Sequence, residues 1–328
     1  MLPYVLEALK RQTFKDFDVV VVVKPSGDGT EQILNQQSNC LKITTVIQKS
    51  GHFVDACFLG AKNSTGDIIA FLDDDAIPED NWLYETVELF RSSGAGAVTG
   101  DSIPAYLKNG KLEPIQEVEV PTVKSHYEFA WFGRPLKGLE EYKNSIADSG
   151  LVYERGNNAY WRKRGATKAL PRGPSMAVLG SFMRGLDFPS SDWILGCAWE
   201  MMIGWNLHRQ GYLMLYTPNA RVYHIVHGRT ASRDALNPRV DLLWAVEAEL
   251  LFYRLYHNEP QFTLPNRLKS DLFRLGFTLK ALKTNAPYYI GKIKGMLVGN
   301  VIGAKWVIYK TIGVTYSPIA DLKKLRSK

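Results

Sequence analysis

Residues 66–82 read GDIIAFLDDDAIPEDNW, and the fold turns on that stretch. Ile68 to Leu72 form a continuous apolar run of strand length, without the alternation of a strand that has one wet face. Such a run predicts a strand buried on both sides, and it ends abruptly in Asp73, Asp74 and Asp75. Pro78 and then NWLYETVELFRSS (81–93) predict a turn followed by a helix. In open α/β sheets ligands collect at the carboxyl ends of strands, which is where these acids are expected. Three adjacent carboxylates repel one another unless a cation is present, and hard oxygen ligands of this kind suit Mg2+ or Mn2+ bridging to a diphosphate. Such an ion would offset the charge that grows on a departing nucleotide diphosphate. The plainer alternative is a solvated turn in which Glu79 and Asp80 cap the next helix. The place at the end of a buried strand, with a helix after it, favours the ligand-binding reading.

Upstream, the same alternation repeats. Leu2, Val5, Leu6 and Leu9 share a face and predict a helix over residues 2–12. DFDVVVVV (16–23) predicts a strand buried on both faces, and SGDGT (26–30) opens a helix over 28–37 with Asp28 or Thr30 as cap. KITTVIQ (42–48) predicts a second strand and residues 53–63 a helix. This βαβ rhythm implies an α/β fold with a mostly parallel sheet and helices on its faces. Downstream, GAVTGDSIPAYL (96–107) reads as a strand, and residues 105–172 as long loops with short strands. Residues 196–210 read as a helix, and GYLMLYTPNARVYH (211–224) as two short strands around a Pro-Asn turn. Residues 241–257 and 267–283 read as helices outside the sheet.

The 328 residues suffice for one large domain or a domain with an appendage, and 45% apolar content argues against disorder. Cys40, Cys57 and Cys197 lie far apart with no CxxC pair, which gives neither a disulfide framework nor a structural zinc site and fits a reducing, cytoplasmic compartment. The residues after Met1 lack the apolar core of a signal peptide, and no stretch reaches the roughly 18 apolar residues of a membrane span. The expectation is a soluble or peripherally attached protein. The net charge of +7 is uneven, because residues 262–328 are rich in Lys and Arg and end in DLKKLRSK. That tail reads as a solvated basic surface or an anionic-lipid contact; nucleic acid is not expected as a partner, because no recognised binding motif accompanies the charge. KTNAPYYIGKIKGMLVGNVIGAKWVIYKTIGVTY (283–316) sets lysines among apolar stretches, which suits a helix lying in a membrane interface or a helical hairpin packed on the rest of the chain.

LEALKRQTFKDFDVVVV (6–22), SGDGT (26–30) and GAKNSTGDIIAFLDDD (60–75) together resemble the opening of an inverting family 2 glycosyltransferase of the GT-A fold, and the resemblance spans roughly residues 4–230. It implies a Rossmann-like, mostly parallel central sheet flanked by helices, with a catalytic domain over 1–232 and a helical, basic extension over 233–328. It also implies a nucleotide-sugar donor, a glycan or lipid-linked acceptor, and Mn2+ or Mg2+ as cofactor. Asp73 would lie near the donor ribose or diphosphate, Asp75 would be a metal ligand, and Asp74 would support the cluster. GCAWEMMIGWNLHRQGYLMLYTPNARVYH (196–224) resembles the family's Glu-Asp helix, Gly-Tyr pair and following strand. Counting back from Gly211 and Tyr212 gives Glu200 as catalytic base, with Trp199 in place of the preceding acid. An inverting transfer is a single displacement, for which one carboxylate opposite the leaving group suffices. A lone Glu beside Met201, Met202 and Trp205 would have a raised pKa; its structural alternative is a capping or core-paired Glu.

His224 matches the family's histidine near the metal better than His227 does, though either residue could equally be a packing or hydrogen-bonding group. Arg229, just after, could stabilise phosphate charge through its guanidinium. RGPSMAVLGSFMRGLDFP (172–189) resembles the family's Gly-x-Asn-Met-Ala stretch, so Arg172 to Met176 would line the donor-sugar and acceptor pocket. GNNAYWRKR (156–164) resembles it too, and the spacing to Glu200 favours residues 173–177. Trp131, Phe132, Trp161 and Trp193 are sugar-stacking faces or core. Three departures stand out. The family opens with an apolar strand, and that first strand is expected to be missing from this chain. Lys24 replaces an acid and is assigned to donor phosphate, with Ser26 of the SGDGT turn. Cys57 and Phe58 replace a common Arg-Asn pair. These changes leave a second reading, a catalytically silent GT-A scaffold that binds a carbohydrate or a partner.

Overall fold

The computed structural model describes residues 1–37, 39–119, 133–226, 238–257, 259–283 and 285–327. The chain opens with α1 (Leu2–Lys10), β1 (Val19–Val23), α2 (Thr30–Gln37), β2 (Ile43–Ile47) and α3 (Phe53–Lys62). β3 (Ile68–Leu72) and β4 (Ala76–Pro78) bracket the three acids, and α4 (Trp82–Ser93) follows. Next come β5 (Ala97–Lys108), β6 (Lys111–Pro114), β7 (Asn144–Ile146), β8 (Val152–Glu154), α5 (Asn158–Arg162), β9 (Thr167–Lys168) and β10 (Ser175–Leu179). α6 (Gly180–Gly185), α7 (Trp199–Arg209), β11 (Met214–Ile225), α8 (Pro238–Tyr256), α9 (Leu264–Ala281), α10 (Ala286–Thr311) and α11 (Ile319–Ser327) complete the order.

Two compact units result. The first holds Met1–Thr122, Arg155–Ser190 and Glu200–His227; the second holds Val123–Glu154, Ser191–Trp199 and Gly228–Lys328. In the first unit a seven-stranded sheet has the order β3-β10-β5-β11-β4, with β6 on β5 and β9 on β11. β5 and β11 are parallel, whereas β10 runs antiparallel to β3 and β5, and β4 antiparallel to β11. β1 and β2 form a separate parallel pair. The α/β class stands, with a mixed sheet in place of a mostly parallel one. Hydrophobic runs report burial but not strand direction, and the antiparallel β10 lies in a segment read for its motif.

Local chemistry explains the elements around the acids. α1 buries Val5, Leu6, Ala8 and Leu9 on one face and starts with a proline in its first turn. α3 is held at its start by Asp55, whose carboxylate accepts the His52 N–H at 2.8 Å. Val5, Leu6, Leu9, Ile77, Trp82 and Val222 belong to the core that supports β4. β1 and β3 are less buried than their apolar runs predict, with only Val23 and Ile69 fully inside. Among the described strands, each pairs along one edge only, β1 with β2 and β3 with β10.

Residues 214–225 form one strand instead of two strands around a turn. Its register on β5 jumps between Tyr216 and Arg221, so Pro218 and Asn219 sit in a bulge. Gly100 lies under that bulge: a Cβ there would come within 2.2 Å of the Ala220 carbonyl oxygen and 2.3 Å of Ser175 Oγ.

In the second unit, Gly295, Gly299 and Gly303 of α10 face Ala245, Glu249 and Tyr253 of α8 too closely to admit a Cβ. α9 is tied to α8 by buried charges: Glu249 accepts from Arg267 and, at 2.9 Å, from Arg274, while Asp271 pairs with both arginines at 3.0 Å. Glu247, also buried, accepts backbone N–H groups from Ile194, Leu195 and Cys197 at 2.6, 3.0 and 3.0 Å. Among the described residues no helix is long and apolar enough to cross a membrane.

Candidate functional site

β3 ends at Leu72 and delivers Asp73 to the sheet's carboxyl edge. The chain then turns through Asp74 and Asp75 into β4, which lies against β11 with His224 opposite Ala76. The Ile225 N–H donates to the Asp75 carbonyl at 3.0 Å and fixes that register. His224 Nε2 consequently stands 3.3 Å from Asp75 Oδ1. Asp73, Asp75 and His224 each offer one ligand atom, and the three atoms lie within 4.8 Å of one another. Asp74 is exposed and outside this group.

The donor set fits a divalent cation with oxygen and imidazole ligands, as Mn2+ and Mg2+ accept. The electrostatics point the same way. Burial pushes the Asp73 carboxyl up to about 6; the neighbouring Asp75 adds to the rise, His224 opposes it and Asp74 adds a little. Two half-buried carboxylates this close disfavour each other's charge, and a cation would relieve both.

Glu200 reaches the same place from α7. β10 pairs with β3 so that its first residue, Ser175, lies opposite Leu72, the residue before Asp73. Thr99 Oγ1 accepts the Arg172 N–H at 3.2 Å, and the Trp82 indole donates to Ser175 Oγ at 2.7 Å, anchoring the segment on both sides. The Gly173 N–H then donates to Glu200 Oε1 at 3.4 Å. A Cβ on Gly173 would stand 3.2 Å from that oxygen, so the glycine leaves room for the carboxylate. Although Glu200 is only half-buried by exposure, protein atoms crowd its carboxyl. Burial pushes it up to about 7, its own N–H, Arg172 and the Gly173 N–H pull it down, and Asp73 pushes it up again. The exposed Arg172 is thus close enough to act on Glu200.

Cys57 of α3 lies within electrostatic reach of Asp73 and Glu200. Its thiol is pushed far up by burial and then by the charges of Asp73 and Glu200, so it is a neutral thiol beside both acids. Sequence reading saw Cys57 only as a substitution; its closeness to both carboxylates comes from tertiary packing.

Lys24 and Ser26, assigned to the donor, follow directly on β1. Lys24 Nζ donates to the Gly51 carbonyl at 3.2 Å, and Ser26 shares its turn with Asp28, which accepts from the Thr30 N–H and hydroxyl at 3.1 and 2.7 Å. Both sit at the end of the separate β1–β2 pair and are exposed. The structure therefore gathers Asp73, Asp75, His224, Arg172 and Glu200, with exposed Asp74 next to them in the chain and Lys24 and Ser26 in the turn after β1. His227, Arg229, Trp131 and Phe132 lie outside the described residues.

Of the two segments weighed for the pocket, 173–177 adjoins Glu200. Residues 156–164 instead contain α5, which Asn157 caps by accepting the Tyr160 N–H at 3.1 Å. Arg162 there pairs with the fully buried Asp101 and, at 2.5 Å, with Glu117, while the Tyr216 hydroxyl donates to Asp101 at 3.1 Å. Nothing local in the sequence marked that network. The Trp161 indole donates to the Arg155 carbonyl, and Trp193 is only 1% exposed in the second unit, so its ring offers no face to a sugar.

Comparison with known proteins adds lineage to this geometry. The sequence profile described as glycosyl transferase family 2 matches residues 1–170, just over half of the chain. Glycosyltransferase AglE of Haloferax volcanii is 33% identical over 110 residues, covering 32% of this chain and 36% of that protein. The chain thus matches only about a third of the length of that curated relative. Among solved structures, GalNAc-T7 with UDP, GalNAc and Mn2+ is similar over 89% of this chain and 55% of its own, with a TM-score of 0.50 and 14% identity. The mannosyltransferase PcManGT from Pyrobaculum calidifontis, in complex with GDP-Man and Mn2+, is similar over 93% of this chain and 84% of its own, with a TM-score of 0.46 and 15% identity.

Proposed function

The chain belongs to glycosyl transferase family 2, and on that premise we propose that it is an inverting, metal-dependent transferase that moves a sugar from a nucleotide-sugar donor to a glycan or lipid-linked acceptor. The observation that carries this reading is the convergence of Glu200 from α7 with Asp73 and Asp75 from the turn between β3 and β4 and His224 from β11. Four groups from three separate parts of the chain come together where the fold collects ligands.

Asp75, His224 and Asp73 would hold Mn2+ or Mg2+, which when bound supplies neutralisation of the charge gathering on the leaving diphosphate. Arg172 is assigned to the donor, where a guanidinium suits phosphate oxygens. Asp74, Lys24 and Ser26 remain assigned to the donor through the family resemblance, with less geometric support than Arg172. Glu200 takes the proton of the acceptor hydroxyl as its oxygen bonds to the anomeric carbon and the bond from that carbon to the diphosphate breaks. One displacement inverts the centre, and no covalent sugar–enzyme bond is formed. A carboxyl near neutrality suits a base that must both accept and release a proton around pH 7.

In this reading residues 1–232 are the catalytic part and 233–328 an extension. We infer a cytoplasmic enzyme without a nucleic-acid partner.

Thermal shift with nucleoside diphosphates, with and without Mn2+, followed by turnover assays, tests the reading. A ligand that binds only the folded state raises its apparent stability. Asp75→Ala is expected to abolish the Mn2+-dependent part of the shift. Glu200→Gln is expected to keep that shift and to lower transfer by about a hundredfold or more. A chain that binds no nucleotide with Mn2+ present, across a broad donor panel, is the silent scaffold instead.

A further inference from the structure

We propose that the outer faces of α9 and α10 form a docking surface for an anionic lipid bilayer, binding in its interface without crossing it. The inference concerns the second unit alone and stands whether or not the catalytic reading does.

α10 has two apolar sides. Gly295, Gly299 and Gly303, four residues apart, pack against α8. On the opposite side Ile290, Leu297, Val301, Ile308 and Ile312 recur at spacings of seven and four, which keeps them on one helical stripe continuing just past the helix end. That stripe faces water: Val301 is 69% exposed, Ile308 59% and Leu297 55%. α9 repeats the design. Its inner side is pinned by Arg267 and Arg274 to Glu249, while Leu264, Leu268, Leu272 and Leu279 line its exposed side. Large side chains at such exposure cost hydration free energy when left in water, and two stripes of them mark an interaction site.

Charge decides what covers them. Residues 262–328 carry thirteen Lys and Arg against two acids, a net of +11 in a chain whose total is +7. Both acids are already engaged: Asp271 with Arg267 and Arg274, and Asp321 with Lys305 at 3.0 Å. α10 holds no acid in its 26 residues, and exposed Lys294 lies within the apolar stripe. A second copy would bring the same positive face and be repelled. An anionic membrane supplies both an apolar layer for the stripes and phosphate charge for the lysines, whose stems reach from one to the other.

Flotation of the full chain with phosphatidylcholine vesicles, with and without phosphatidylglycerol, tests the proposal. The protein is expected to float with the anionic vesicles, to bind phosphatidylcholine alone at least about tenfold more weakly, and to be released by salt. Leu297→Glu with Val301→Glu is expected to lower the vesicle partition coefficient by more than about tenfold, with the thermal transition unchanged because both residues are exposed. Leu268→Glu with Leu272→Glu repeats the test on α9. Failure of the wild-type chain to float with either vesicle overturns the proposal, as does flotation that all four substitutions leave untouched. Light scattering that finds a dimer, broken by the Leu297 and Val301 changes, would reassign the face to self-association. None of these outcomes depends on transferase activity.

Discussion

Glu200 and Asp73 are acids that resist giving up their protons, for reasons that differ in origin. Glu200 is crowded by protein atoms, whereas Asp73 feels Asp75 as well as burial. The Glu200 carboxyl lies near 7 in the fold against an ordinary value of 4.5. Because the folded value is the higher, the native state binds more protons than the unfolded chain between those limits. The stabilisation from neutral Glu200 is full below about 4.5 and is lost as pH rises through about 7. Glu200→Gln stays neutral throughout, so the metal-free variant should gain on the parent in denaturant titrations above neutral pH, by on the order of 2 kcal/mol. Transfer by the parent should rise over the same range, as the base ionises. Asp73, Asp75 and Glu200 were legible because short motifs place them at a strand end and a helix start. Cys57 and Asp101 were not, since their partners come from elements remote in sequence: Asp73 and Glu200 for the first, Arg162 and Tyr216 for the second.

At the scale of elements, β11 is where sequence and structure part. Pro218 and Asn219 have the composition of a turn, and a turn there would have made two strands. The chain instead absorbs the surplus residues in a bulge and keeps to the same neighbour, β5. What permits this is Gly100 on the facing strand, a residue with no local sign of its importance. Gly100→Ala should therefore cost about 2–3 kcal/mol or leave the protein insoluble, because the added methyl meets a backbone carbonyl at 2.2 Å and not a side chain that can swing away. Chemical denaturation of soluble material, or its yield, would measure this. The bulge also sets the phase of the strand beyond it. With a period of two, loss of one residue between 217 and 220 would turn His224 away from Asp75.

Over the whole molecule, the alternation of strands and helices was readable to residue 93, and the α/β class with it. The sheet order was not, because every pairing in β3-β10-β5-β11-β4 joins strands that are not consecutive in the chain. The family profile ends at residue 170, yet Arg172, Glu200 and His224 all come later. A fragment of residues 1–170 would keep the acids after β3 and the β5–β6 pair while losing β10 and β11, the strands that join β5 to β3 and to β4. It should give no cooperative melting transition by circular dichroism and should sediment with aggregates, since unpaired strand edges invite association. The same interleaving has a temporal side. On the ribosome, β3 and β5 emerge long before β10 and β11, which belong beside them, and until Ile225 is free of the exit tunnel the nascent chain carries open strand edges that invite mispairing.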